Sequence, residues 1–260
     1  MSRTYVVTGA ASGIGKSTSE LLTEQGHRVI GTDLRDAEIV ADLSTASGRE
    51  QLVEEVTRVS GGGVDAVLAV AGLATPNAAT VAVNFYGTVA TLEGLRPLLL
   101  RSPSPRAVAV SSMAALFPPD ETLLNALLDG SETEAMARAA ELEAGDAQRS
   151  SLIYGTAKRA LSRWIRRQAP TAEWADASIP LNAVAPGVVY TPMTAYIMSD
   201  AAARSQVAAM VPMPLNGFFE PRGVATLLAW LTSEDNAHLC GQIIYIDGGS
   251  DAVLRGDTVF

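Results

Sequence analysis

A chain of 260 residues that is 48% hydrophobic and 18% charged has the material for one large globular domain, which excludes a disordered or fibrous protein. Its formal net charge of -9 argues against nucleic acid, whose phosphates require a basic surface, and against anionic membranes. A single cysteine, Cys240, and two scattered histidines, His27 and His238, provide neither an internal disulfide nor a metal site, which disfavours zinc chemistry.

The first strand is expected at Tyr5 to Thr8, and the N-terminus enters it almost at once. No basic region, apolar stretch and small-residue cleavage site precede it, and no apolar run approaches the roughly 20 residues of a membrane span, so a cytoplasmic protein is expected. Thr8-Gly-Ala-Ala-Ser-Gly13-Ile-Gly15 follows, leading into a helix over about 14 to 26. Glycines at Gly9, Gly13 and Gly15, with Ser12 and Ile14 between them, allow a tight turn and bring backbone amides close to a pyrophosphate at a helix N-terminus. The second strand, Arg28 to Thr32, runs into Asp33, eighteen residues after Gly15. A carboxylate there can accept hydrogen bonds from an adenosine ribose and repels a 2'-phosphate, which favours NAD over NADP. Arg35 points the other way, because a nearby arginine can accommodate that phosphate.

Further along, helical stretches are expected at about 46 to 59, 77 to 101, 151 to 170 and 221 to 232, alternating with strands at Val64 to Val70, Ala107 to Ser111, Pro180 to Ala185 and Gln242 to Ile246. Alternating β and α units without a solenoid repeat or a linker predict a single domain over residues 1–260, an α/β fold with one doubly wound parallel sheet of Rossmann type. Residues about 116–150 interrupt the rhythm as a helical insertion. That insertion holds eight acidic residues from Asp120 to Asp146, while the helix after it carries Lys158, Arg159, Arg163, Arg166 and Arg167. These are either two separately solvated faces or a docked pair, within one subunit or across a dimer.

Tyr154 and Lys158 lie one helical turn apart on that helix, and Lys158 is one of only two lysines in the chain. A tyrosine of ordinary pKa, about 10, is a poor base at neutral pH. A cation about 4 Å away, at an effective dielectric near 20, is worth roughly 4 kcal/mol, or about three pKa units. That correction makes a general acid/base.

With Thr8-Gly9 to Gly15, Asn84, Ser111-Ser112, Tyr154-x-x-x-Lys158 and Pro186-Gly187 in this order, the chain resembles the short-chain dehydrogenase/reductase family from Thr4 to about Gly249. The stretch Arg35 to Arg49, the long insertion and the ending Asp247 to Arg255 resemble its hydroxysteroid dehydrogenase/carbonyl reductase branch. The resemblance implies Tyr154 as general acid/base and Lys158 as the group that lowers its pKa and holds the nicotinamide ribose. It implies Ser112 as the hydrogen-bond donor to the substrate oxygen, with Ser111 as the register alternative, and Asn84 as the holder of a water leading from Lys158 to solvent. An asparagine bonding only to local backbone is the other reading of Asn84. Asp42 and Leu43 are implied to flank the adenine, Ala71 and Gly72 to line the cofactor, and Pro186, Gly187, Val189 and Thr191 to wrap the nicotinamide. Where the family usually reads Asn-Asn-Ala-Gly this chain has Ala69-Val-Ala-Gly72, so the hydrogen bonds of those asparagines must come from elsewhere.

Residues about 192–219 resemble the family's substrate loop and hold four of the seven methionines. Flexible thioethers suit an adaptable apolar lid, and the alternative is that they pack as core. Met113, Met193, Tyr196 and Met198 are the expected substrate contacts beside Ser112 and Tyr154. The substrate expected is a hydrophobic, cyclic or steroid-like secondary alcohol or ketone, with terpenoid and aryl ketones open. A homo-oligomer, dimer or tetramer, is implied, with the insertion beside the helices that related enzymes use for contact. A catalytically silent NAD sensor is the competing class, and an epimerase or dehydratase on nucleotide sugars is disfavoured by chain length.

Overall fold

Short runs of β-branched and small apolar residues form seven strands in the computed structural model, which describes residues 2–258. They are β1 (Thr4–Thr8), β2 (Arg28–Asp33), β3 (Ile39–Val40), β4 (Ala66–Ala69), β5 (Arg106–Val110), β6 (Leu181–Pro186) and β7 (Ile243–Ile246). All pairings are parallel, in the order β3-β2-β1-β4-β5-β6-β7. The chain winds outward from β1 to β3, then returns to the other side of β1 at β4. This reversal opens a crevice at the carboxyl ends of β1 and β4, where doubly wound sheets bind ligands.

Around the sheet lie α1 (Gly13–Glu24), α2 (Ala46–Ser60), α3 (Ala78–Val81), α4 (Thr88–Leu99), α5 (Glu121–Asp129), α6 (Glu132–Glu143), α7 (Ala147–Gln168), α8 (Ala195–Ser199), α9 (Ala201–Met210), α10 (Pro221–Leu231) and α11 (Ser250–Arg255). Alternation along the strands assigns the faces. Tyr5, Val7, Leu68, Val108 and Val184 pack on α1 and α10, while Val6, Val67, Ala107, Ala109 and Leu181 pack on α2, α4 and α7. Strand and helix limits differ from the sequence expectations by a residue or two, as fraying ends do, except that α7 begins at Ala147, four residues before its expected start. The expected helix 77–101 is broken by a π-helical segment at Ala82–Gly87 between α3 and α4. Among the described residues no helix is long and apolar enough to cross a membrane.

The insertion docks on α7 within the chain, but not by the charge pairing its composition suggests. Leu123, Leu124, Leu127, Ala135, Ala139 and Leu142 join the main core together with Ile153, Leu161 and Trp164 of α7. Asp129–Arg167, at 2.8 Å, is exposed at both ends and so contributes about 1 kcal/mol at most. The other acids turn elsewhere. Asp120 pairs with Arg138 inside the insertion at 2.7 Å, Glu132 reaches Arg49 on α2 at 2.8 Å, and Glu143 accepts from the Ala78 amide of α3 at 2.9 Å. Leu124→Ala should therefore cost about 2–4 kcal/mol in urea unfolding. Combined charge reversal at Arg163 and Arg166, which form no ion pair among the described residues, should leave stability within about 0.5 kcal/mol. The opposite ranking would return the docking to electrostatics.

Candidate active site

At the crevice lies a cleft of about 520 Å³, within the range of cofactor pockets. Gly9, Ser12, Gly13, Ile14, Gly15, Asp33, Asp42, Leu43, Ala71, Gly72 and Thr191 all line it. Two glycines are steric requirements. A methyl on Gly15 would sit 2.1 Å from the Gly9 carbonyl oxygen, and one on Gly9, at φ 72°, would sit 2.9 Å from the Ala71 Cα. The first turn of α1 has no side-chain cap, so its amides remain available to an anion. Asp33 holds the loop as well as facing the cleft, because its two oxygens accept from the Ala11 amide at 2.9 Å and the Leu34 amide at 2.7 Å. Asp42 turns the chain by accepting from the Ser44 amide at 2.9 Å and hydroxyl at 2.6 Å. A cradle free of side chains, an uncapped helix start and a carboxylate at the far end fit a nicotinamide dinucleotide.

Thr8 braces the segment where the family's two asparagines are absent. Its Oγ1 accepts from the Val70 and Ala71 amides, both at 3.0 Å, and so ties β1 to the loop after β4. Leu34, Ala41, Ala79 and Val83 also line the cleft and were not expected. The helical spacing of Ala79 and Val83, one turn apart ahead of Asn84, was the available signal for that pair.

A smaller cleft of about 110 Å³ adjoins the first and shares Ile14, Gly72, Thr191 and Met193 with it. Ser112, Tyr154 and Lys158 converge there, with Pro186, Gly187 and Val189 on its wall. Ser112 caps the 3₁₀ turn Met113–Leu116, its Oγ accepting from the Ala114 amide at 3.1 Å. Ser111 also borders the cleft, but its hydroxyl is committed to the Ser162 hydroxyl at 2.8 Å and the Lys158 carbonyl at 3.2 Å. Lys158 is 3% exposed and donates from Nζ to the Val110 carbonyl at 2.7 Å. Asn84 is buried behind Gly72, within the π-helical segment. Its Oδ1 accepts from the Leu73 amide and its Nδ2 donates to the Leu73 carbonyl, both at 2.8 Å, so its amide braces the loop after β4. A methyl on Gly72 would lie 3.1 Å from Asn84 Oδ1 and 3.6 Å from Lys158 Nζ, so both atoms border the glycine.

Burial dominates the electrostatics. It pushes the Tyr154 phenol above its ordinary value, while the Ser112 hydroxyl acts in the opposite direction and Tyr196 adds a smaller push upward. It pulls the Lys158 ammonium down from 10.5 to about 8. Lys158, its own ammonium depressed, is not among the groups that move the phenol in this state of the protein. Lys158 is buried and Tyr154 half-buried on the cleft wall, each loses solvation of its charged form, and the group that favours the phenolate is Ser112.

The loop after β6 divides into core and rim. Met113, Val188, Ile197, Val211 and Met213 form a separate buried cluster, and Met213 Sδ accepts from the Val188 amide at 3.3 Å. Met113 therefore packs under the lid rather than on the cleft wall, because the 3₁₀ turn directs it inward. Met193 borders both clefts, whereas Tyr196, 65% exposed, stands outside them. The side chain of Met198 lies outside the described residues. Among the described residues no cluster of His, Cys, Asp or Glu could hold a metal ion.

Two family descriptions match the chain: "short chain dehydrogenase" over residues 3–123 and "Enoyl-(Acyl carrier protein) reductase" over residues 131–251. The chain is 37% identical over 254 residues to a 3-alpha-hydroxysteroid dehydrogenase/carbonyl reductase of Comamonas testosteroni, covering 96% of this chain and 97% of that protein. It is 27% identical to a 3-oxoacyl-[acyl-carrier-protein] reductase of Thermotoga maritima, covering 94% of this chain and 96% of that one. Among solved structures, the 3-alpha-hydroxysteroid dehydrogenase from Pseudomonas sp. B-0831 complexed with NADH superposes with a TM-score of 0.89 at 38% identity, over 98% of this chain and all of that one.

Proposed function

The chain belongs to the short-chain dehydrogenase/reductase family, and from that premise we propose that it interconverts a hydrophobic secondary alcohol, cyclic or steroid-like, and its ketone, with NAD and with Tyr154 as general acid/base. At the coarser level it is an oxidoreductase related to hydroxysteroid dehydrogenases and carbonyl reductases. The observation that carries the finer reading is the convergence of Ser112, Tyr154 and Lys158 on a small cleft that opens into the glycine-lined one. The nicotinamide, when bound, supplies the acceptor or donor of hydride.

The chain's own residues supply binding and proton transfer. Gly9, Ser12, Gly13, Ile14 and Gly15 would hold the pyrophosphate, Asp33 the ribose, Asp42 and Leu43 the adenine, and Ala71, Gly72, Pro186, Gly187, Val189 and Thr191 the nicotinamide half. Tyr154 takes the hydroxyl proton in oxidation and returns it in reduction. The Ser112 hydroxyl donates to the oxygen that gains charge, and Lys158 anchors the nicotinamide ribose. Asn84 Oδ1, with one lone pair spent on Leu73, has a second for a water beside Lys158. Met193 and Tyr196 flank the approach, and an apolar cluster beneath them suits an apolar substrate.

The test is absorbance of reduced nicotinamide with steroid, terpenoid and aryl alcohols, each with NAD and NADP. Turnover with an apolar alcohol supports the reading; cofactor binding without turnover across the panel favours the silent sensor. Asp33 further predicts that kcat/KM with NAD exceeds that with NADP by at least about ten-fold, a discrimination of roughly 1.4 kcal/mol. Asp33→Ala should narrow that ratio, since Arg35 borders the same cleft and forms no ion pair among the described residues. A wild-type preference for NADP would overturn the assignment.

A further inference from the structure

The turn that presents Ser112 and the helix that presents Tyr154 meet along one seam, and the side chain that closes it belongs to the residue after Lys158. Arg159 Nε donates to the Ala115 carbonyl at 2.7 Å and its terminal nitrogen donates to the Leu116 carbonyl at 3.3 Å. Those carbonyls end the 3₁₀ turn that Ser112 begins, and terminal carbonyls otherwise lack partners. The turn is tight, because the Ala115 amide bonds the Ser112 carbonyl at 3.1 Å and the Ala114 amide bonds its hydroxyl. A pull on its last carbonyls is therefore transmitted to Ser112. The same seam is at contact distance elsewhere. A methyl on Gly155 would meet the Ala114 carbonyl oxygen at 3.0 Å, and Thr156 Oγ1 accepts from the Asp120 amide at 2.9 Å.

We propose that Arg159 is a positioning residue for the dehydrogenase reaction, clamping the serine turn onto α7 so that the Ser112 hydroxyl meets Tyr154 and the substrate oxygen. The proposal rests on the roles of Ser112 and Tyr154 given above. An arginine suits the task, since its planar fork satisfies two successive carbonyls that a single ammonium cannot align with together. The ionisable groups at the seam come from each element packed there. Lys158 shares the cleft with Tyr154 and Tyr196 acts on it, the Asp120–Arg138 pair lies at the insertion end, and Tyr245 of β7, with Asp247 and the Asp251–Arg255 pair, faces Arg159.

Two variants of the full chain, R159M and R159K, test the clamp at saturating cofactor with an alcohol that the wild type oxidises. The Ser112 hydroxyl favours the phenolate, so taking it away from Tyr154 should move the acid limb of kcat/KM for oxidation to higher pH in R159M. Its kcat should fall about 10- to 100-fold, the effect of a small misplacement at a reacting centre, with KM for the cofactor within about two-fold of wild type. R159K should recover part of both. A limb that stays in place in R159M overturns the proposal whatever happens to Tm, because a merely structural arginine would lower stability without moving a titration. Should R159M not fold, R159K decides alone: a displaced limb supports the clamp and an unmoved one overturns it. An inactive wild type would overturn the reading of Tyr154 first, and the clamp with it.

Discussion

Tyr154→Phe lowers kcat by about three orders of magnitude while the protein keeps its fold and its affinity for the cofactor. The magnitude is that of one general acid/base step. The substitution removes a single oxygen from a half-buried ring, so packing is retained. Because burial holds the phenol above its ordinary value, the resting group is protonated. Reduction, which needs the acid, should be sustained at neutral pH and fail as pH rises through the phenol's pKa. Oxidation, which needs the base, should rise through the same pH range. The two limbs must mirror each other, and the phenylalanine variant should lack both. Measuring kcat/KM against pH in the two directions, with cofactor binding followed by fluorescence, checks this. Retention of more than a few per cent of activity, or a limb that survives the substitution, removes Tyr154 from the acid/base role.

Much of this arrangement was legible because it follows from local chemistry. The central strands are short apolar runs buried on both faces, and the glycine loop is written in residues whose side chains the space forbids, as Gly15 shows. What escaped was set by tertiary packing. β3 is two residues long with one side exposed, too brief for a periodic signal. The π-helical segment at Ala82–Gly87 has no distinct propensity, so the helix around Asn84 read as continuous. In the insertion, charge composition drew attention away from the helical spacing of Leu123, Leu124 and Leu127, which is what holds it to α7. Met113, expected at the substrate, is buried among Val188, Ile197, Val211 and Met213, a placement that only tertiary packing sets. The electrostatics were likewise set by packing. Spacing revealed that Tyr154 and Lys158 share a helix face but not that the lysine is enclosed and that burial acts on both.

That enclosure makes the lysine costly to keep. Without cofactor, Lys158→Met should stabilise the protein by about 1–3 kcal/mol at neutral pH, the range seen when a buried charge gives way to an apolar side chain of similar length. Depression of the ammonium from 10.5 to about 8 corresponds to roughly 3 kcal/mol against the charged form, and leaving the Val110 carbonyl unpartnered returns about 1 kcal/mol of that. The sign has a pH signature. Between about 8 and 10.5 the unfolded chain holds a proton that the folded protein has released, so wild-type stability rises with pH across that window. Below it the full penalty stands, and above it the penalty is gone. The gap between Met variant and wild type should therefore be widest at neutral pH and close as pH approaches the upper limit, in urea unfolding at a series of pH values. A Met variant less stable than wild type at neutral pH, or a gap indifferent to pH, would show that Lys158 has a stabilising partner. Turnover should move the other way, with Met inactive. Lys158→Arg should also lose most activity despite keeping the charge, because a planar guanidinium cannot reproduce a compact three-donor ammonium in a cavity closed by Val110 and Gly72. If arginine supports near-wild-type rates, a cation alone suffices. If it does not, the protein tolerates an unpaired buried ammonium because the site uses the geometry of its three donors, and Arg159 next to it shows the chain placing an arginine where a fork is wanted.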